Sequence, residues 1–131
     1  AEEMLRLIAE HRIDTIFMVP TMFVRLLKLP EEVRNRYDLS SLRFVIHAAA
    51  PCPAEVKSAM IAWWGPVIHE FYGGTETGPV TFATSEDALR KPGTVGRLSP
   101  GAEIRVLDEA GKAFPQGSIG ELFCRIEGYP D

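Results

Sequence analysis

The chain is 131 residues long, 46% hydrophobic and 24% charged, a balance that suits a folded domain with a real core and excludes a disordered tail. Fourteen Lys and Arg against eighteen Asp and Glu give a net charge of −4, and Arg34 and Arg36 sit among Glu31, Glu32 and Asp38, so a nucleic-acid partner is disfavoured. No stretch reads as an export signal or is long enough to cross a bilayer; with Cys52 and Cys124 in neither a metal nor a disulfide pattern, a reducing cytoplasm is the expectation.

Residues 2–12 carry Met4, Leu5, Ile8 and Ala9 at helical spacing and read as an amphipathic helix. Thr15 to Val19 is a short apolar run, as expected of a buried strand in a parallel sheet. Pro20 opens a helix with Met22, Phe23, Leu26 and Leu27 on its inner face, Pro30 closes it, and 31–37 reads as a further helical turn. Arg43 to Ala48 is a second buried strand. A turn of small residues, Ala48 to Pro53, leads into a helix at 54–64 with Val56, Ala59, Met60 and Trp63 inward. Val67 to Tyr72 is a third strand that runs into a glycine-rich loop. Strands alternating with helices at this spacing predict an α/β fold with a mostly parallel, helix-covered sheet.

The texture changes after Pro92. Prolines and glycines cluster up to Gly101, and two strands follow at 103–107 and 119–126, with turns at 108–111 and 115–117. Leu122, Cys124 and Ile126 alternate with Phe123 and Arg125, the pattern of a half-exposed antiparallel sheet. The expected organisation is an α/β part over 1–100 and the start of an antiparallel, β-rich part over 101–131.

Two stretches carry chemistry. Tyr72-Gly73-Gly74-Thr75-Glu76 lies at the carboxyl end of a strand, where open α/β sheets bind ligands. Tyr72 offers a face for a purine, Gly73 and Gly74 allow close approach to the backbone, Thr75 brings a hydroxyl, and Glu76 is a carboxylate suited to Mg²⁺. The same residues could form a tight turn with a solvated Thr-Glu pair. His47 to Pro53, at the end of the preceding strand, leaves room for a flat ring, or is a plain strand-to-helix turn. Other templates fail: Pro79 stands where a P-loop needs lysine, and no serine elbow exists. His11, His47 and His69 lie on separate elements and read as satisfied structural histidines.

Together these residues resemble the adenylate-forming superfamily of acyl-CoA ligases, adenylation domains and beetle luciferases. Tyr72-Gly73-Gly74-Thr75-Glu76 matches its tyrosine-glycine-any-threonine-glutamate motif, and Ala49-Ala50-Pro51 its adenine-binding turn. Val19-Pro20-Thr21, Gly93 to Arg97, Pro100-Gly101 and Gly120-Glu121-Leu122 follow in family order. The resemblance implies that Tyr72 stacks on adenine while Ala49, Ala50, Pro51 and Gly73 line the nucleotide. It implies catalytic roles for Thr75, on the α-phosphate, and Glu76, on Mg²⁺. Gly73, Gly74, Pro79 and Val80 would border the acyl group. The implied reaction joins a carboxylic acid, fatty or aryl, to ATP as an acyl-adenylate and passes it to coenzyme A. The family's phosphate loop and its lysine-bearing carboxy-terminal domain are not found here, so a fragment of the large amino-terminal domain, inactive alone, is expected. An amino-acid-activating adenylation domain and a non-catalytic remnant are the alternatives.

Overall fold

The computed structural model describes residues 1–115 and 117–128; Gln116, in the expected 115–117 turn, and 129–131 lie outside the described residues. Helix α1 (Glu2–His11) places Glu2 and Glu3 in its first turn, at the positive end of the helix dipole, and buries Leu5 and Ile8. Strand β1 (Thr15–Met18) runs into α2 (Pro20–Leu27), where Pro20 occupies the opening turn and its missing N–H leaves nothing unpaired. A single turn, α3 (Glu31–Arg34), precedes β2 (Phe44–His47), α4 (Ala54–Trp64) and β3 (Ile68–Gly74). Then come β4 (Gly78–Ala83), α5 (Ser85–Arg90), β5 (Arg97–Leu98), β6 (Ala102–Leu107) and β7 (Glu121–Ile126).

The α/β class is observed. A five-stranded sheet has the order β1-β2-β3-β4-β5, parallel through β1, β2 and β3 and antiparallel at β4 and β5. A separate antiparallel pair, β6-β7, follows in the chain. The core forms where Leu5 and Ile8 of α1, Phe23 and Leu26 of α2, and Met60, Ile61 and Trp64 of α4 meet Met18, Val45 and Ile68 of the sheet. Ser85 fastens α5 to this layer: its Oγ accepts the Ile68 N–H at 3.0 Å and donates to the Ile68 carbonyl at 2.6 Å.

Three expectations need correction. β1 is covered on one side only, since it ends the sheet and the core lies on the Met18 face, leaving Thr15 and Phe17 exposed. Helix α4 turns Lys57, Met60, Ile61 and Trp64 inward, a face rotated from the apolar one read from the sequence, because Lys57 is drawn in by a buried carboxylate. β4, α5 and β5 are not anticipated at all. Gly78-Pro79 looks like loop, and strand pairing along β3 overrides that local preference. The start of α5 does have a signal, a capping box in which Thr84 Oγ1 accepts the Asp87 N–H and Asp87 accepts the Thr84 N–H.

Candidate functional site

β2 and β3 are parallel neighbours, so their carboxyl ends open side by side. The chain leaves β2 through Ala49, whose φ of 72° is left-handed, a conformation that costs a residue with a Cβ about 1–2 kcal/mol. This turn carries Ala49, Ala50 and Pro51 out along the sheet edge before Pro53 caps α4. Ala49, Ala50 and Pro51 line one side of a cleft of about 360 Å³, with Glu70, Phe71, Tyr72 and Gly73 of β3 opposite and Val95 at the rim. Tyr72 is 43% exposed. Val95 reaches the rim because its loop lies flush on β4. Its carbonyl accepts from Thr81 Oγ1 at 2.6 Å, and a Cβ on Gly96 would stand 1.9 Å from the Phe82 carbonyl oxygen.

The two stretches singled out from the sequence therefore face each other. All five residues expected to line the nucleotide short of its phosphates (Ala49, Ala50, Pro51, Tyr72 and Gly73) border one cleft. Thr75 and Glu76 lie beyond it, exposed at the tip of the β3–β4 hairpin. Thr77, missed from the sequence, closes that tip: its Oγ1 accepts the Gly74 N–H at 3.0 Å. Among the described residues no three His, Cys, Asp or Glu side chains gather as a metal cluster. Glu76 is thus in no such cluster, and a carboxylate of this kind fits Mg²⁺ held chiefly by phosphate oxygens and water.

Gly73 has a reason beyond the one expected. A Cβ there would lie 1.9 Å from the Gly78 carbonyl oxygen, so the glycine lets the hairpin close. At Gly74 the nearest atom to such a Cβ is Thr77 Oγ1, at 3.7 Å. Pro79 borders a second cleft of about 590 Å³, mostly apolar, with Ile46, Phe71, Phe82 and Ile126. Val80, expected beside it, is fully buried and lines neither cleft. The cause is a bulge: Tyr72 pairs with Thr81 and Gly73 with Pro79, which leaves Val80 as the extra residue. A further hollow of about 560 Å³ on the β6–β7 hairpin includes Asp108, whose Oδ1 already accepts the N–H groups of Ala110 and Lys112.

Beneath the 360 Å³ cleft lies a charged group that sequence reasoning missed. Lys57 Nζ donates to Glu70 Oε2, both residues nearly fully buried, and Glu70 Oε1 stands 3.9 Å from His47 Nδ1. Opposite charges at two otherwise apolar positions, one on a helix and one on a strand, were the available signal. His47 is structural but not satisfied: neither ring nitrogen has a partner among the described residues, and its ring packs edge-on to Phe23 at 5.2 Å. Burial, helped by the Lys57 charge, pushes its imidazole down to about 4. Burial likewise pushes the Cys52 thiol up to about 11, so it is a poor nucleophile. His69 packs against the rings of Phe44 and Phe82, at 4.7 and 5.5 Å.

Comparison with known proteins agrees with this geometry. A family model described as AMP-binding enzyme matches residues 1–129. The mitochondrial medium-chain acyl-CoA ligase ACSF2 of Danio rerio is 39% identical over 127 residues, 92% of this chain and 20% of that protein. Among solved structures, the anthranilate CoA ligase AuaEII in complex with anthranoyl-AMP superposes with a TM-score of 0.84 at 28% identity, over 97% of this chain and 24% of that one. The amide bond synthetase McbA of Marinactinospora thermotolerans gives 0.85 at 29% identity, over 98% and 27%. The chain thus spans about a fifth to a quarter of the length of these relatives.

Proposed function

The chain belongs to the family of AMP-binding enzymes, and from that premise we propose that it builds the base-binding cleft and part of the acyl wall of an acyl-CoA ligase. The observation that carries the reading is the cleft itself, with Tyr72 facing Ala49-Ala50-Pro51 across a space that suits a flat ring. Adenine stacks on Tyr72 between these walls. Thr75 and Glu76, on the hairpin that continues β3, are directed to the phosphate end of the nucleotide. The Thr75 hydroxyl donates to an α-phosphate oxygen as negative charge builds there. Mg²⁺, when bound, neutralises phosphate charge, and Glu76 is the residue here that would hold it.

The substrate carboxylate attacks the α-phosphorus, pyrophosphate leaves, and an acyl-adenylate results. The coenzyme A thiol then attacks its carbonyl carbon and AMP departs. The large apolar cleft beside Pro79 and Phe71 supports a fatty or aryl acid. The separate β6-β7 sheet supports a division near residue 100 between an α/β part and a β-rich part.

Titration of the chain with AMP, followed by NMR, tests the reading. Shifts concentrated at Ala50, Tyr72 and Gly73 are expected, even at millimolar affinity. Shifts scattered over the surface, or none, would remove it. Because the chain spans so little of its relatives' length, we expect no pyrophosphate release from it alone with ATP, Mg²⁺, coenzyme A and fatty or aryl acids.

A further inference from the structure

The parallel ladder between β2 and β3 ends at the pair of His47 and Glu70, and the base cleft opens where it stops. Beyond that pair the two walls are held differently. Tyr72 and Gly73 stay in the sheet, paired with Thr81 and Pro79 of β4. Ala49, Ala50 and Pro51 leave it, and among the described residues no backbone–backbone hydrogen bond ties them to a neighbour. Without such bonds a wall has no fixed distance from Tyr72 unless its far end is anchored.

The anchor stands at the fork. The wall runs into α4 at Pro53, whose carbonyl accepts the Lys57 N–H at 3.1 Å. From the start of α4 the Lys57 side chain crosses to β3, where Nζ donates to Glu70 Oε2, and both residues are nearly fully buried. Among the described residues this is the only side-chain hydrogen bond between α4 and β3. His47, the other member of the last ladder pair, makes none with either ring nitrogen. Neither partner of a buried ion pair withdraws alone without leaving a bare charge out of water, so the contact resists opening.

We propose that this ion pair is a latch that holds the Ala49–Pro51 wall at a fixed distance from Tyr72, with Lys57 as a positioning residue for the shape of the cleft. Its role in binding rests on the cleft taking an adenine nucleotide. Lys57 does not line the cleft and selects nothing in the base. It preorganises the slot, because a wall already fixed need not be ordered when the ligand enters.

The test is backbone ¹⁵N relaxation of the chain without ligand, followed by titration with AMP. In Lys57→Met the Ala49 and Ala50 amides should lose order, toward the order parameter of about 0.6 that marks flexible backbone. Tyr72 and Gly73, still paired with β4, should keep theirs. AMP should then bind about threefold to tenfold more weakly, since the wall must be ordered on binding. Lys57→Arg, which keeps the charge, should restore both the order and the affinity. A merely structural lysine would lower resistance to urea and leave the Ala49 and Ala50 amides as they were. If Lys57→Met does not fold, Lys57→Met with Glu70→Gln, which leaves no unpaired charge, serves for the relaxation measurement and should show the same local loss. Unchanged order at Ala49 and Ala50, or an equal loss at Tyr72 and Gly73, overturns the latch while the AMP site stands. Failure of the wild type to bind AMP at Tyr72 overturns the nucleotide reading and the positioning role with it.

Discussion

Gly73 and Gly78 meet across the β3–β4 hairpin so closely that a Cβ on Gly73 would lie 1.9 Å from the Gly78 carbonyl oxygen. That oxygen belongs to backbone, so no side-chain rotation relieves the clash. Gly73→Ala should therefore open the hairpin and destabilise the chain by about 2–3 kcal/mol, in the range for an overpacked site. Gly74→Ala, with 3.7 Å to its nearest neighbour, should stay within about 0.5 kcal/mol. Urea unfolding of the two variants separates them. Equal stability would show that the hairpin tip relaxes freely.

A second expectation concerns acid. The unfolded chain protonates His47 near its ordinary value of 6.5, but the folded chain holds it down to about 4. Between those values the unfolded state binds more protons, so stability is complete above about pH 6.5 and falls as pH drops toward 4, by about 3 kcal/mol from this residue. His47→Leu removes two buried nitrogens that have no partner among the described residues. It should cost little at pH 7.5 and cut the loss between pH 7.5 and 4.5 by about 2 kcal/mol. Parallel losses in wild type and variant, measured by urea unfolding, would mean that His47 is not the group that titrates.

The strand–helix–strand alternation was legible because each element carries its own short apolar pattern, from Leu5 and Ile8 to Val45 and Ile68. The cleft was legible in part for a geometric reason: adjacent parallel strands bring the Ala49–Pro51 turn and Tyr72 to the same edge. What escaped depends on contacts distant in sequence. β4 exists because Gly73 and Phe71 have partners in Pro79 and Phe82, although Gly78-Pro79 suggests a loop. Val80 is buried, out of the lining of the cleft beside Pro79, by a bulge that only the pairing register reveals. Nothing in the helix around Lys57 signals its burial, which follows from Glu70 thirteen residues later.

Glu76 makes a prediction that separates metal binding from surface charge. It is exposed at the hairpin tip, so Glu76→Gln should leave stability within about 0.5 kcal/mol. With ATP present and Mn²⁺ replacing Mg²⁺, paramagnetic broadening of the Thr75 and Glu76 amides should be strong in the wild type and much reduced in the variant. In a full-length enzyme the same change should slow adenylation on the order of 10²–10³-fold. Unaltered broadening would make Glu76 a solvated carboxylate with no metal.

Gly74 pairs with Gly78, next to Pro79 at the apolar cleft, and its backbone is not in the left-handed region. A side chain is therefore tolerated there, unlike at Gly73. On the proposed reading its absence leaves space beside the acyl group, so an enzyme carrying this chain should accept bulky or long acids. Gly74→Leu places several methylenes in that space, and overfilling a fitted pocket commonly costs about 1–3 kcal/mol, or roughly tenfold to a hundredfold in kcat/KM. The penalty should fall on large acids and spare short ones, with AMP binding nearly unchanged because Gly74 does not line the base cleft. The measurement is kcat/KM across acids of increasing size, alongside AMP titration. An equal decline for all acids would mean that the hairpin had been damaged. No decline would place Gly74 away from the acyl group and leave the glycine serving backbone geometry alone.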